Sequence, residues 1–136
     1  AEVLDRLLKK WDTAKEITPR PEFYQVENQS NTGIIFFGTT TYAALEAMDL
    51  LREEEGITLD AMRATAFPFH ESVAAFIEAH DQVFVIEQNR DAQFRTLLIN
   101  ELEINPKKLV KVLNYDGMPI TAEAIRRQIV GVLATV

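Results

Sequence analysis

Two uninterrupted apolar runs constrain the fold more than any other feature of this sequence. Residues 33–38 read Gly-Ile-Ile-Phe-Phe-Gly, and residues 83–86 read Val-Phe-Val-Ile. Strands that are apolar throughout, instead of alternating with polar residues, are typical of a parallel sheet that helices cover on both faces. The two runs therefore predict an α/β protein.

Strand and helix patterns alternate along most of the chain. Further strands are predicted over 57–64 and 109–113, with a weak edge strand over 23–28. Helices are predicted where apolar residues recur at helical spacing: Tyr42, Leu45, Met48 and Leu51; Val73, Phe76 and Ile77; Phe94, Leu97 and Leu98; Ile125, Ile129, Val132 and Leu133. Gly56 is expected to end the first of these helices and Thr121 to cap the last. This order predicts a three-layer αβα Rossmann-like sandwich with a mostly parallel sheet of four or five strands.

The first 20 residues stand apart from this alternation. An apolar stripe at helical spacing (Leu4, Leu7, Leu8, Trp11) precedes Pro19 and Pro21, which break the pattern. We expect an extra N-terminal amphipathic helix with a proline connector over 1–20 and the α/β domain over 21–136. The helix is expected to cover a surface that meets another domain or chain. The chain starts at Ala1 without Met, which either removal of the initiator Met or excision from a longer polypeptide would explain. The other features of the sequence favour excision, so we expect a piece of a longer polypeptide.

Composition excludes several classes of function. The chain has 136 residues, with 14 basic and 21 acidic side chains and a net charge of −7, so neither nucleic acid nor an anionic membrane is an expected partner. The absence of Cys excludes disulfides, thiolate catalysis and Cys-ligated zinc or iron–sulfur clusters within this segment. No apolar stretch is long enough to span a bilayer. Cytoplasmic localisation is the expectation.

Candidate functional residues follow the strands, because the carboxyl ends of parallel strands are where ligands and partners meet such a sheet. After the first apolar run come Gly38, Thr39 and Thr40 at a predicted helix start. Hydroxyls and free amides there can hold a phosphate. However, neither a Walker pattern nor G-x-G-x-x-G is present, and the favoured interpretation is a helix cap with a tight turn.

The densest polar cluster follows the second apolar run. A catalytic interpretation makes Glu87 a general base and Arg90 an anion clamp. In the structural interpretation Asp91 caps the next helix, Arg90 pairs locally, and Asn89 and Gln93 tie loops together. We favour a structural or interface role, since carboxylates also take part in plain ion-pair networks.

The two histidines do not suggest a metal site. Neither His70 nor His80 has a further ligand at i+3 or i+4, which a metal site would require. His80 is expected to interact with the dipole at the end of its helix or with Asp81.

Several ordered strings resemble one family. The strings are Phe37-Gly38-Thr39-Thr40, Leu51 to Ile57, Ala66-Phe67-Pro68-Phe69, Glu87 to Gln93 as E-x-N-R-x-x-Q, and Tyr115-Asp116-Gly117-Met118-Pro119 as Y-D-G-x-P. Together they resemble the C-terminal, transketolase-like domain of the α subunit of 2-oxoacid:ferredoxin oxidoreductases, with the 2-oxoglutarate branch most similar. The resemblance extends over nearly the whole chain.

The resemblance implies a parent complex that uses thiamine diphosphate, Mg²⁺ and iron–sulfur clusters. Such a complex decarboxylates a 2-oxoacid, forms an acyl-CoA and reduces ferredoxin. The partners implied are the other domains of the α subunit, the β subunit and, through the complex, ferredoxin. No catalytic, cofactor-binding or metal-binding residue is carried over to this segment, and a structural or assembly role is expected.

The residues that we assign as interface or loop-organising candidates are Gly38, Thr39, Thr40, Phe69, Glu87, Asn89, Arg90, Gln93 and Asp116. The alternative function is a free-standing domain that binds a small ligand or an anion at residues 38–41. Receiver-like domains share the alternating pattern, but the first predicted strand lacks their acidic residue.

Overall fold

A computed structural model of the chain describes residues 21–24, 30–37, 40–64, 71–87, 93–113 and 120–134. Five strands of one sheet lie in these ranges: β1 (Glu22–Tyr24), β2 (Thr32–Phe36), β3 (Asp60–Arg63), β4 (Gln82–Glu87) and β5 (Leu109–Leu113). Their order across the sheet is β1-β3-β2-β4-β5. Only β1, at one edge, pairs antiparallel to its neighbour, and the pairs among the other strands are parallel.

Helices cover both faces of this sheet. The described helices are α1 (Thr41–Glu55), α2 (Glu71–Glu78), α3 (Gln93–Leu102) and α4 (Ala122–Leu133), with a short 3₁₀ helix over Pro106–Lys108. Buried residues of α1 and α4 share one hydrophobic cluster, and those of α2 and α3 share a second. The predicted three-layer αβα sandwich is therefore confirmed.

The central strand β2 is buried on both faces, which explains its uninterrupted apolar run. Ile34 and Phe36 belong to the cluster under α1 and α4, whereas Ile35 belongs to the cluster under α2 and α3. All three side chains are fully buried. Because successive residues of a strand point to opposite faces, a strand covered on both sides needs apolar residues at every position.

Two helix ends follow the sequence signals. Gly56 has a φ of 67° after the end of α1, a left-handed conformation that glycine adopts without a steric penalty. At the start of α4, the Thr121 hydroxyl accepts a hydrogen bond from the Ala124 amide at 3.1 Å. Both predictions are confirmed.

The buried face of α1 differs from the prediction. Tyr42, which belongs to the predicted apolar stripe, is 85% exposed, while the buried positions are Thr41, Ala44, Ala47 and Leu51. Small alanine side chains let the helix axis lie close to the sheet, and Tyr42 consequently falls outside the contact. Leu45 and Met48, from the same predicted stripe, are partly buried and pack against the cluster under α1 and α4.

Other differences concern the ends of elements. β1 begins at Glu22, one residue before the predicted edge strand over 23–28, of which residues 25–28 lie outside the described residues, and β3 begins at Asp60 instead of residue 57. The N-terminal helix and the proline connector over 1–20 lie outside the described residues and stay predictions. In the described ranges, no helix has the length and apolar character needed to cross a membrane.

A charged cluster joins the end of α1 to the start of α4. The Arg126 guanidinium lies 2.8 Å from a Glu55 carboxylate oxygen and 3.8 Å from one of Glu54, and it also pairs with Glu123. Hydrogen bonding to Arg126 lowers the pKa of Glu123 and raises the pKa of Arg126. Since the carboxylates are open to solvent, we expect this cluster to contribute modestly to stability.

Candidate functional site

The strand order places a topological switch point between β2 and β4. From β2 the chain leads through α1 to β3 on one side, whereas β4 lies on the other side of β2 and leads through α3 to β5. In open α/β sheets, ligands and partners meet the carboxyl ends of the strands at such a point. Two predicted site residues, Thr40 after β2 and Glu87 at the end of β4, lie beside it.

Thr40 closes the turn between β2 and α1. Its hydroxyl donates to the Phe37 carbonyl at 2.7 Å, and the same oxygen accepts from the Phe37 amide at 3.3 Å. Thr40 makes no side-chain capping bond to α1, because its backbone is helical (φ −79°, ψ −8°) and not extended as in a typical N-cap. The expectation of a tight turn is met, but the capping bond is not formed by this residue.

Glu87 is fully buried at the end of β4. Its Oε2 accepts a hydrogen bond from the Arg95 amide at 3.4 Å, which ties the strand end to the first turns of α3. The Arg95 side chain in turn donates to the carbonyls of Leu109, at 2.8 Å, and Pro106, at 2.7 Å. These contacts support the structural interpretation of Glu87, because the carboxylate orients a helix that is itself fixed to the start of β5.

The remaining predicted site residues cannot be placed in this geometry. Gln93 begins α3, and only its backbone is described. The others lie outside the described residues and stay predictions: Gly38, Thr39, Phe69, Asn89, Arg90 and Asp116.

A buried polar pair at the amino edge of the sheet was not predicted. His80 Nε2 lies 2.9 Å from Asp60 Oδ2, and His80 Nδ1 lies 2.6 Å from the Phe76 carbonyl oxygen. The Ser30 amide donates to the same Asp60 oxygen at 3.1 Å. Of the two expectations for His80, the interaction with the end of its helix is met by the Phe76 carbonyl in the last turn of α2. The carboxylate partner is Asp60 and not Asp81, because the ring turns into the protein, where a buried carboxylate requires a donor.

The two acceptors around His80 define where protons lie. The Phe76 carbonyl can only accept, so Nδ1 must carry a hydrogen, and the contact with Asp60 needs a second one. Asp60 Oδ1 is buried without a hydrogen-bond partner. No group of three or more His, Cys, Asp or Glu within the described ranges is placed to hold a metal ion.

Comparison with solved structures identifies the fold family. 2-Oxoglutarate:ferredoxin oxidoreductase from Magnetococcus marinus, solved with 2-oxoglutarate, coenzyme A and succinyl-CoA bound, matches 96% of this chain at 26% identity and a TM-score of 0.80. The resemblance to 2-oxoacid:ferredoxin oxidoreductases is confirmed. The chain spans only 23% of that oxidoreductase chain, as expected for one domain of a longer protein.

Two further structures share the fold. The alpha chain of a probable 2-oxoacid ferredoxin oxidoreductase from Thermoplasma acidophilum matches 85% of this chain and 97% of its own length, with 23% identity and a TM-score of 0.56. A split-gene transketolase, solved as an inactive β4 tetramer, matches 83% of this chain and 42% of its own length, with 19% identity and a TM-score of 0.64. No protein-family model matches the chain, and no curated protein matches its sequence.

Proposed function

We propose that this chain is the C-terminal, transketolase-like domain of the α subunit of a 2-oxoacid:ferredoxin oxidoreductase. In this proposal it is a structural domain that holds subunits together and supports the neighbouring active-site domains. The observation that carries the proposal is the match to the Magnetococcus marinus oxidoreductase over 96% of this chain at 26% identity.

The contacts at the carboxyl edge support a structural role. Thr40 is bonded to the turn that it closes, and Glu87 is bonded to the backbone of α3. Both side chains are buried and directed into the protein, so they do not fit the pyrophosphate of thiamine diphosphate or its Mg²⁺. We therefore assign the binding of thiamine diphosphate, Mg²⁺ and iron–sulfur clusters to other parts of the parent complex.

The substrate of the parent complex is proposed to be 2-oxoglutarate. The Magnetococcus marinus enzyme was solved with 2-oxoglutarate, coenzyme A and succinyl-CoA. By analogy the parent complex would form acyl-CoA, CO₂ and reduced ferredoxin in the cytoplasm. The partners of this domain would be the rest of the α subunit and the β subunit.

The proposal is tested by removing the domain from its natural gene product. The complete α subunit and its partner subunit are co-expressed, with and without residues 21–136 of this sequence. We expect the deletion to abolish co-elution of the subunits in size-exclusion chromatography. We also expect it to abolish viologen reduction with 2-oxoglutarate, coenzyme A, thiamine diphosphate and Mg²⁺.

Two outcomes would contradict the structural role. One is an assembled and active complex that lacks the domain. The other is turnover by the isolated 136-residue chain in the same assay, which would place the reacting groups in this segment.

A further inference from the structure

Two tyrosines share the corner of the molecule between β1 and the start of α1. Tyr42, in the first turn of α1, is 85% exposed, the largest exposed fraction among the described large hydrophobic side chains. The pKa of the Tyr24 phenol is raised, chiefly by its hydrogen bond to Glu22 and least by the Tyr42 phenol, so the two phenols are near enough to interact. Arg63, at the carboxyl end of β3, pairs with Glu22 at 3.7 Å. We call these four residues the β1–α1 corner.

A recess opens beside the β1–α1 corner. It has a volume of about 380 Å³, and the residues that line it include Tyr24, Leu45, Met48 and Leu59. Leu45 and Met48 pack against the hydrophobic cluster under α1 and α4, so they form the floor of the recess and not an outward face. Tyr42, one turn before Leu45, projects from α1 into solvent. The corner therefore presents a projecting ring and a hollow side by side, which is a surface that a partner can pack against closely.

The position and residue types of the β1–α1 corner indicate an interface. Tyr and Arg are enriched among the residues that contribute most to binding at protein interfaces, and the exposed Tyr42 ring contributes little to the packing of the domain itself. The corner lies at the carboxyl edge of the sheet, where Glu22 stands opposite Arg63 and where α1 begins. Partners of an open α/β sheet are expected at this edge.

Charge limits what can cover the corner. The chain has a net charge of −7, and Glu46 is exposed one turn after Tyr42. A second copy, a nucleic acid or an anionic membrane would bring further negative charge against this surface. A protein surface that combines an apolar pocket for the ring with Lys or Arg beside it is complementary. Under the proposed function the same subunit can supply such a surface, since this chain spans only 23% of the Magnetococcus marinus chain and most of that chain lies outside the matched domain.

We propose that the rest of the α subunit packs on the β1–α1 corner, with the Tyr42 ring in an apolar pocket that cationic side chains flank. This inference rests on the proposed function and adds the contact surface to it. Its anchor, Tyr42, is not among the interface candidates that the sequence predicted.

The first test compares the 136-residue chain with the complete α subunit assembled with its partner subunit. N-Acetylimidazole acetylates exposed tyrosine hydroxyls, and mass spectrometry locates the modified residue. We expect Tyr42 to react several-fold more slowly in the assembled subunit than in the 136-residue chain. Equal rates would overturn the proposal.

Substitutions at the corner separate the contact from the fold of the domain. Tyr42→Ala should not lower the melting temperature of the 136-residue chain, because the ring is exposed there, but it should lower that of the assembled α subunit by several degrees. Asn100→Ala, at an exposed position of α3, is the control and should change neither. Glu46→Lys should also lower the melting temperature of the assembled subunit, because it places a cation against cations, whereas Glu101→Lys, at an exposed position of α3, should not.

Three further results would overturn the proposal. If Tyr42→Ala lowers both melting temperatures equally, the ring packs within the domain. If the 136-residue chain dimerises in sedimentation equilibrium and Tyr42→Ala dissociates the dimer, a second copy covers the corner. If Glu46→Lys raises the melting temperature of the assembled subunit, the partner surface is acidic. Deletion of residues 21–136 tests the proposed function separately, so a complex that needs the domain but tolerates Tyr42→Ala would overturn this inference alone.

Discussion

Among the described residues, buried polar side chains at the amino edge of the sheet join elements that are far apart in the sequence, whereas Thr40 and Glu87 at the carboxyl edge bond to backbone nearby. Asp60 is bonded to His80, 20 residues later, and to the amide of Ser30, 30 residues earlier. Thr40 is bonded to Phe37, three residues away, and Glu87 to the amide of Arg95, eight residues away.

This difference separates two mechanical roles. Contacts between distant segments hold the whole domain together, so their loss should lower global stability. Contacts within one turn or one connection shape a local segment, which can open without unfolding the rest. In the part of the chain that the structure describes, Thr40 and Glu87 therefore make local contacts at the edge where partners of an open α/β sheet are expected, whereas the Asp60–His80 pair connects distant segments at the opposite edge.

The largest effect should come from breaking the amino-edge pair. We expect His80→Ala to lower the free energy of unfolding by about 3–5 kcal/mol, because the buried Asp60 carboxyl group then loses its imidazole partner and keeps only the Ser30 amide. Urea denaturation followed by circular dichroism measures the change. Asp81→Ala, at an exposed neighbouring position, is the control and should stay within about 0.5 kcal/mol of wild type.

A loss of less than about 1 kcal/mol for His80→Ala would show that this pair behaves like a solvent-exposed ion pair. In that case the amino edge does not hold the domain together, and the comparison between the edges fails.

The second prediction compares two glycines. A Cβ on Gly33, in β2, would lie 3.0 Å from Cε1 of Phe76 and 3.4 Å from Cγ of His80, whereas a Cβ on Gly131, in α4, would contact nothing within 4 Å. We expect Gly33→Ala to cost about 1–3 kcal/mol through overpacking. Gly131→Ala should stabilise the protein by up to about 1 kcal/mol, because alanine favours the helix.

Thermal melting of both variants provides the measurement, with each serving as the control for the other. Equal melting temperatures would mean that the aromatic and imidazole rings beside Gly33 move aside without cost. The amino edge would then be less tightly packed than the distances indicate.

The sequence was sufficient to predict the layers but not the orientation of every helix. The uninterrupted apolar runs of β2 and β4 predict that both strands are buried on both faces, since such a strand must be apolar at each position. On α1, by contrast, hydrophobicity favours Tyr42, Leu45 and Met48, while the structure buries Ala44 and Ala47. Close approach of a helix to a sheet selects small side chains, and apolar spacing alone does not contain that information.

The polar contacts were harder to predict for a related reason. Asp60 and His80 form a bond over 20 residues of sequence, and no local spacing connects them. The position of Glu87 at the end of an apolar strand did indicate an important carboxylate, but not that its acceptor oxygen faces the amide of Arg95. Such partners follow from the register of the sheet and from the crossover helices, which are properties of the assembled fold.

The smallest of the three effects is expected at the carboxyl edge. In Glu87→Gln the amide oxygen can still accept from the Arg95 amide, so we expect global stability to fall by only about 1 kcal/mol. Hydrogen exchange at the Arg95 amide should nevertheless become faster, because a neutral acceptor binds it more weakly than a carboxylate. Glu46→Gln, the same chemical change at an exposed position of α1, should alter neither quantity.

If Glu87→Gln instead destabilises the protein as much as His80→Ala, then the carboxyl edge also holds the whole domain together. The proposed difference between the two edges, with contacts between distant segments at the amino edge and local contacts at the carboxyl edge, would then be wrong.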